Sequence, residues 1–224
     1  MKNIAYNKTY LDVFSNTYQK TLTPGCTNEK FLNDLENGYS VLTKQNEYHY
    51  LPDNSRNQWR VYGSENTVFH DNNEILSFKT IYCASMCKII THKNGHKYLF
   101  YKKDLYGYSI FDLIEKKNFD YFPAASFPNN ENETFILCVP FYNPINNFIA
   151  VDGCYWAGPY GVILIDFSDP LNSSQLIEKY GYIEHIYHEN YGYTFYGWNG
   201  TNLILVNDET QDQRIISIPY STAL

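Results

Sequence analysis

The sequence predicts an all-β domain, a small β-propeller of four to five blades, on three observations: composition, a repeat and turn chemistry. Aromatic residues make up 18% of the 224 positions, with 23 Tyr and 14 Phe. These side chains suit pleated, half-buried surfaces. A Tyr-Gly-to-Asp pattern recurs along the chain, and short apolar runs alternate with clusters of Asn, Gly, Asp and Pro, the residues that tight turns require. Long amphipathic helical periodicity is absent.

The length suits one domain, and 44% hydrophobic residues supply a core without external staples. The repeat is carried by Tyr106-Gly-Tyr-Ser-Ile-Phe-Asp112 and Tyr160-Gly-Val-Ile-Leu-Ile-Asp166, with a third copy at Thr201-Asn-Leu-Ile-Leu-Val-Asn207. Each copy reads as the third strand of a four-stranded unit. Strands expected before them are Lys97–Tyr101, Asn147–Val151 and Tyr193–Trp198; those after are Phe119–Phe122, Gln175–Tyr180 and Arg214–Ile218. Opening strands are Met86–Thr91, Phe135–Val139 and Glu184–Tyr187. The units start roughly 48 residues apart, within the range of propeller blades. One step back reaches Tyr39–Thr43, followed by Glu47–Leu51, Gln58–Tyr62 and Glu74–Lys79. Four repeats thus fill 39–224. Residues 1–38 form an extension or an incomplete blade, in which Tyr10–Phe14 reads as a strand able to close the ring and hide sheet edges. The one helix expected is Thr27–Leu35, with Phe31, Leu32 and Leu35 as its buried stripe. A β-sandwich or an open stack of meanders is the alternative architecture.

A net charge of −7 argues against nucleic acid, which selects a basic patch, and against anionic membranes. Met1–Tyr10 lacks the apolar stretch of a signal peptide. The five cysteines, Cys26, Cys83, Cys87, Cys138 and Cys154, are odd in number and irregularly spaced. They read as reduced thiols of a cytoplasmic protein.

Phosphate-binding glycine loops and a nucleophile elbow are missing. Cys83 and Cys87 sit in an apolar stretch and read as structural. His185 and His188, three apart on a strand, point to opposite faces. His92 and His96 read as solvated turn residues. No metal or cofactor is expected. Asp112, Asp166 and Asn207 are expected to accept hydrogen bonds from backbone N–H groups of the turns that follow them.

In a propeller, the loops between second and third strands share one face. Here they are Pro52–Asn57, Asp104–Gly107, Gly153–Pro159 and Asn199–Thr201. Their edges carry Arg56, Tyr106, Tyr155, Trp156, Tyr160 and Trp198, beside Asp104 and Asp152. Aromatic rings with a polar tip are strong contact residues. The expectation is a non-catalytic binding module that uses this aromatic loop face for a protein or a small carbohydrate-like ligand. The alternative is a carbohydrate-active hydrolase or lyase with two carboxylates drawn from Asp104, Asp152 and Glu184. Trp156 is the pivotal residue: it either contacts a partner or plugs the gap between blades.

Overall fold

The computed structural model describes residues 3–22, 27–50, 59–82, 86–127, 134–156, 158–171 and 189–218. An N-terminal helix, α1 (Lys8–Lys20), precedes a first sheet of β1 (Thr27–Asp34), β2 (Tyr39–Tyr50), β3 (Trp59–His70) and β4 (Asn73–Ile81). The second sheet is β5 (Cys87–Thr91), β6 (Lys97–Tyr101), β7 (Tyr108–Asp112) and β8 (Asn118–Tyr121). The third contains β9 (Ile136–Asn143), β10 (Phe148–Cys154) and β11 (Gly161–Asp166). The fourth contains β12 (Tyr193–Asn199), β13 (Asn202–Asn207) and β14 (Gln213–Ser217). Among the described residues every strand pair is antiparallel, and neighbours in each sheet are neighbours in sequence. The fold class is therefore all-β, in four small antiparallel sheets. No helix among the described residues is long and apolar enough to cross a membrane.

The sheets pack in chain order, each face on the next, because strand side chains alternate between faces. Leu99, Tyr101 and Phe111 of the second sheet meet Val41, Val68 and Phe78 of the first. The intervening Tyr98, Phe100 and Ile110 meet Ile149, Val151, Ile163 and Ile165 of the third. The other face of the third sheet, Phe148, Ala150, Val162 and Leu164, packs on Tyr193, Leu203 and Leu205 of the fourth. Strands buried on both faces read as unbroken apolar runs. This is why β7 and β11 are buried along almost their whole length while β14 is mostly exposed.

Two N-terminal expectations are reversed. Tyr10–Phe14 lies in α1, not in a strand. The Asn7 side chain accepts from Thr9 N at 2.9 Å and caps the helix. Tyr10, Phe14, Thr17, Tyr18 and Thr21 then fall on one helical face, of which Tyr10, Thr17, Tyr18 and Thr21 are buried. Gly63 of β3 admits this face, since a Cβ there would collide with Thr21. Conversely, Thr27–Leu35 is not a helix. Asn37 and Gly38 both take positive φ, 62° and 77°, the geometry of a two-residue hairpin turn. That turn folds β1 onto β2 with Leu32 opposite Leu42. Leu32 accordingly faces water, 62% exposed, rather than a core. Asp71 and Asn72, also both at positive φ, close β3 on β4. The first sheet therefore begins at β1. The expected strands Tyr39–Thr43 and Glu47–Leu51 merge over their described length into β2. Expected strands Gln175–Tyr180 and Glu184–Tyr187 lie outside the described residues.

Contacts between sheets fix strand direction. The turn at His92 meets Tyr142, whose hydroxyl accepts from Lys93 N at 3.3 Å, while Lys102 donates to Leu137 O at 2.7 Å. Hence β5 and β9 run the same way. In the fourth sheet, Phe195 N donates to Asp152 near the end of β10, and Trp198 Nε1 donates to Phe141 O. Asn143 Nδ2 reaches Gly200 O at 2.8 Å. So β12 also runs with β9. The Thr201–Asn207 copy of the repeat is thereby reversed relative to Tyr106–Asp112 and Tyr160–Asp166.

Candidate aromatic loop site

One end of the sheet stack carries the loop from Asp152 to Tyr160. Gly153 starts it because Ile136 O and the Phe135 ring occupy the space of any Cβ. Tyr155 anchors it, edge-on to Phe135 at 5.6 Å between ring centres. Gly158 N donates to Tyr155 O at 2.9 Å and closes the turn. Between these fixed points Trp156 is 59% exposed and Tyr160 is 51% exposed. Gly192 N donates to Tyr160 O at 3.1 Å, which sets the exposed Tyr191 one residue from that contact.

Asp152 supports the loop from beneath. Its Oδ1 accepts from Phe195 N at 2.8 Å. Burial pushes its carboxyl up to about 6, against the hydrogen bond from Phe195, with nearby Asp208 adding to the rise. Burial also raises the neighbouring Cys154 thiol, helped by Cys138. Cys138 and Cys154 carry unbridged thiols and are, like Cys87, half-buried.

The expected face is brought together only in part. Asp152, Tyr155, Trp156 and Tyr160 share one loop. Asp104 and Tyr106 lie at the same end but turn towards α1. Tyr106 packs with the cluster of Ile4, Ala5, Tyr10 and Phe122, and Asp104 Oδ2 accepts from the Tyr10 hydroxyl at 3.2 Å. Trp198 belongs to the opposite end. Its half-buried ring lies against the core between the third and fourth sheets, and its N–H is held by Phe141 O. The fourth-sheet segment that does lie at the Trp156 end is 208–212, between β13 and β14. The reversed direction of β12 explains the exchange. Arg56 and Glu184 lie outside the described residues, as do Cys26, Cys83, His185 and His188.

The repeated Asx residues are turn devices. Asp112 Oδ1 accepts from Ile114 N and Glu115 N at 2.8 and 2.9 Å. Asn207 Oδ1 accepts from Glu209 N and Thr210 N, both at 3.0 Å. Asp166 Oδ1 accepts from Ser168 N at 2.9 Å. Asn143 does the same for Ile145 N, a case the sequence pattern did not single out. Asp112 and Asn207 nevertheless sit at opposite ends of the stack.

The histidines also differ from expectation. His92 is buried at 3% exposure, with Asn94 N donating to its Nδ1, among Tyr98, Tyr142 and Phe167. His96 is partly buried, 2.7 Å from Asp112 Oδ2, with Glu115 close by. Burial pushes the Asp112 carboxyl up, but the bonds from His96, Glu115 and Ile114 outweigh it and hold the group below its usual value. A hairpin that folds its side chains back on a neighbouring sheet buries turn residues that sequence reading leaves in water. Compared with protein-family models, curated proteins and solved structures, the chain matches none.

Proposed function

We propose that this chain is a non-catalytic binding module, a β-propeller whose contact surface centres on the loop from Asp152 to Tyr160. The propeller reading is supported by four consecutive meanders that stack face on face with β1, β5, β9 and β12 running the same way; β1 runs with β5 because Ile81 N at the end of β4 donates to Lys103 O just past β6, and Lys97 at the start of β6 lies over Tyr39 at the start of β2. The observation that carries the functional reading is the exposure of Trp156 and Tyr160 on an anchored loop. Trp and Tyr rings offer large contact area at low conformational-entropy cost, since each side chain has only two torsions to fix on binding. The partner is a protein surface, or a small carbohydrate-like ligand laid on the same rings. A cytoplasmic location agrees with the unbridged thiols of Cys138 and Cys154.

The hydrolase alternative draws less support. Asp104 and Asp152 serve different seams, one bonded to α1 and the other to β12, whereas glycoside hydrolysis needs both carboxyls across one sugar.

Affinity capture from cell extract, with the wild-type chain beside W156A and Y160A, tests the reading. The expected result is a partner held by wild type and weakened at least about thirtyfold in W156A, the range of an aromatic hot spot. An identical captured set for all three chains contradicts it.

A further inference from the structure

A cavity of about 350 Å³ opens between the first two sheets beneath α1, within the size range of small-ligand pockets. Its apolar wall is aromatic: Phe14 and Tyr10 of α1, Phe78 of β4, Tyr108 of β7, and Phe122 just after β8. Tyr10 and Phe122 are stacked 4.3 Å apart. The polar wall holds three carboxylates, Glu65, Asp104 and Asp120, against two ammonium groups, Lys79 and Lys103.

Both ammonium groups are engaged. Lys103 Nζ bonds Asp120 Oδ2 at 2.8 Å, and Ser109 donates to the other Asp120 oxygen. Lys79 Nζ sits over the Tyr18 ring at 4.5 Å. Glu65 faces Lys44 at 3.6 Å. Asp104 is different. It is buried at 5% exposure, and its hydrogen bonds come from two neutral donors, the Tyr10 hydroxyl and Leu105 N. Lys102, two residues before it, sends its ammonium to Leu137 O instead. Among the described residues no ammonium or guanidinium bonds Asp104, and only the charge of Lys102 acts on it from a distance, so its ionised form is costly.

We infer that this cavity is a second binding site, for an organic monocation: an ammonium group on a flat apolar body, with Asp104 as its counter-charge. The rings of Tyr10, Phe122 and Tyr108 suit both parts of such a ligand, since aromatic faces attract cations as well as apolar surface. The site is independent of the Asp152–Tyr160 loop.

A pH signature follows. Burial is the main cause that pushes the Asp104 carboxyl up to about 7, against the bonds from Leu105 and Tyr10 and the charge of Lys102. The other ionisable groups lining the cavity are Glu65 of β3, Lys79 of β4, Lys103, Tyr108 of β7, and Asp120 and Tyr121 of β8. A bound ammonium ionises Asp104, so at pH 6 binding releases close to one proton, and at pH 8 almost none. Affinity for the amine rises about tenfold from pH 6 to pH 8, as a single titration near 7 requires.

Calorimetry on the full chain with phenethylamine, 2-phenylethanol and 3-phenylpropionate at pH 6, 7 and 8 tests this. The amine is expected to bind tightest, with the stated pH rise and proton release. D104N is expected to lower the amine to the level of the alcohol and to remove the pH dependence; if D104N does not fold, the wild-type pH series decides alone. Equal affinity for amine and alcohol, preference for the carboxylate, an amine affinity flat between pH 6 and 8, or binding of none of the three overturns the proposal.

Discussion

The seam between the first and second sheets and the seam between the third and fourth each hold an aspartate, Asp104 buried and Asp152 half-buried, in different ways. In the last seam, Asp152 accepts a backbone N–H from the facing sheet, and the Trp198 and Asn143 hydrogen bonds close the remainder. In the first seam, a helix stands over the junction and leaves a cavity, and Asp104 meets only neutral donors. A carboxylate bonded across a closed seam is a structural tie. A carboxylate beside open space keeps bonding capacity for something else.

The largest expected effect lies in the pH dependence of the first seam. The folded-state value of Asp104 is raised, from 3.8 to about 7. The folded chain therefore holds a proton that the unfolded chain has released, and stability falls as pH rises from about 4 to about 7. Three units at 1.36 kcal/mol each amount to on the order of 4 kcal/mol. Urea melts of D104N should lose this slope and exceed wild type in stability at pH 8. Asp152 is raised in the same direction, to about 6, but is less deeply buried, so D152N should change the slope less. Equal changes from both variants would erase the distinction between the seams.

The next effect belongs to the last seam. W198A removes a ring packed between two sheets together with its bond to Phe141 O, at a cost of about 3 kcal/mol. It should appear as a clear drop in the thermal midpoint. D152A leaves Phe195 N without its acceptor and should cost about 1–3 kcal/mol. A D152A protein as stable as wild type would show that the Asp152–Phe195 tie contributes nothing.

The central sheets were legible because both of their faces are buried. Runs such as Tyr98-Leu-Phe-Tyr101 and Val162-Ile-Leu-Ile165 have no other reading than strand when Gly and Asn flank them. The N-terminal third was misread where two signals competed. Tyr10–Phe14 is rich in strand formers, yet its spacing with Thr17, Tyr18 and Thr21 is helical. Thr27–Leu35 carries apolar residues at helical spacing, but the Asn37-Gly38 turn after it pairs it with β2 as a strand. The Tyr106 and Tyr160 segments both form strands, β7 and β11, as their apolar runs require. The Thr201 copy was reversed, because a strand carries no mark of its direction against the neighbouring sheet. That reversal moved Trp198 to the wrong end. The cavity was not legible at all, since it arises where α1, β4 and β8 meet, far apart in sequence; of its lining, only Asp104 was singled out.

The smallest stability effect separates surface from seam, and it tests the central claim that Trp156 serves contact rather than packing. Thermal melting of W156A beside W198A decides it. W156A is expected to melt close to wild type, within about 0.5 kcal/mol as for other exposed positions, and W198A clearly lower. A W156A midpoint depressed as far as that of W198A would make Trp156 a wedge between sheets and remove the contact surface from this loop.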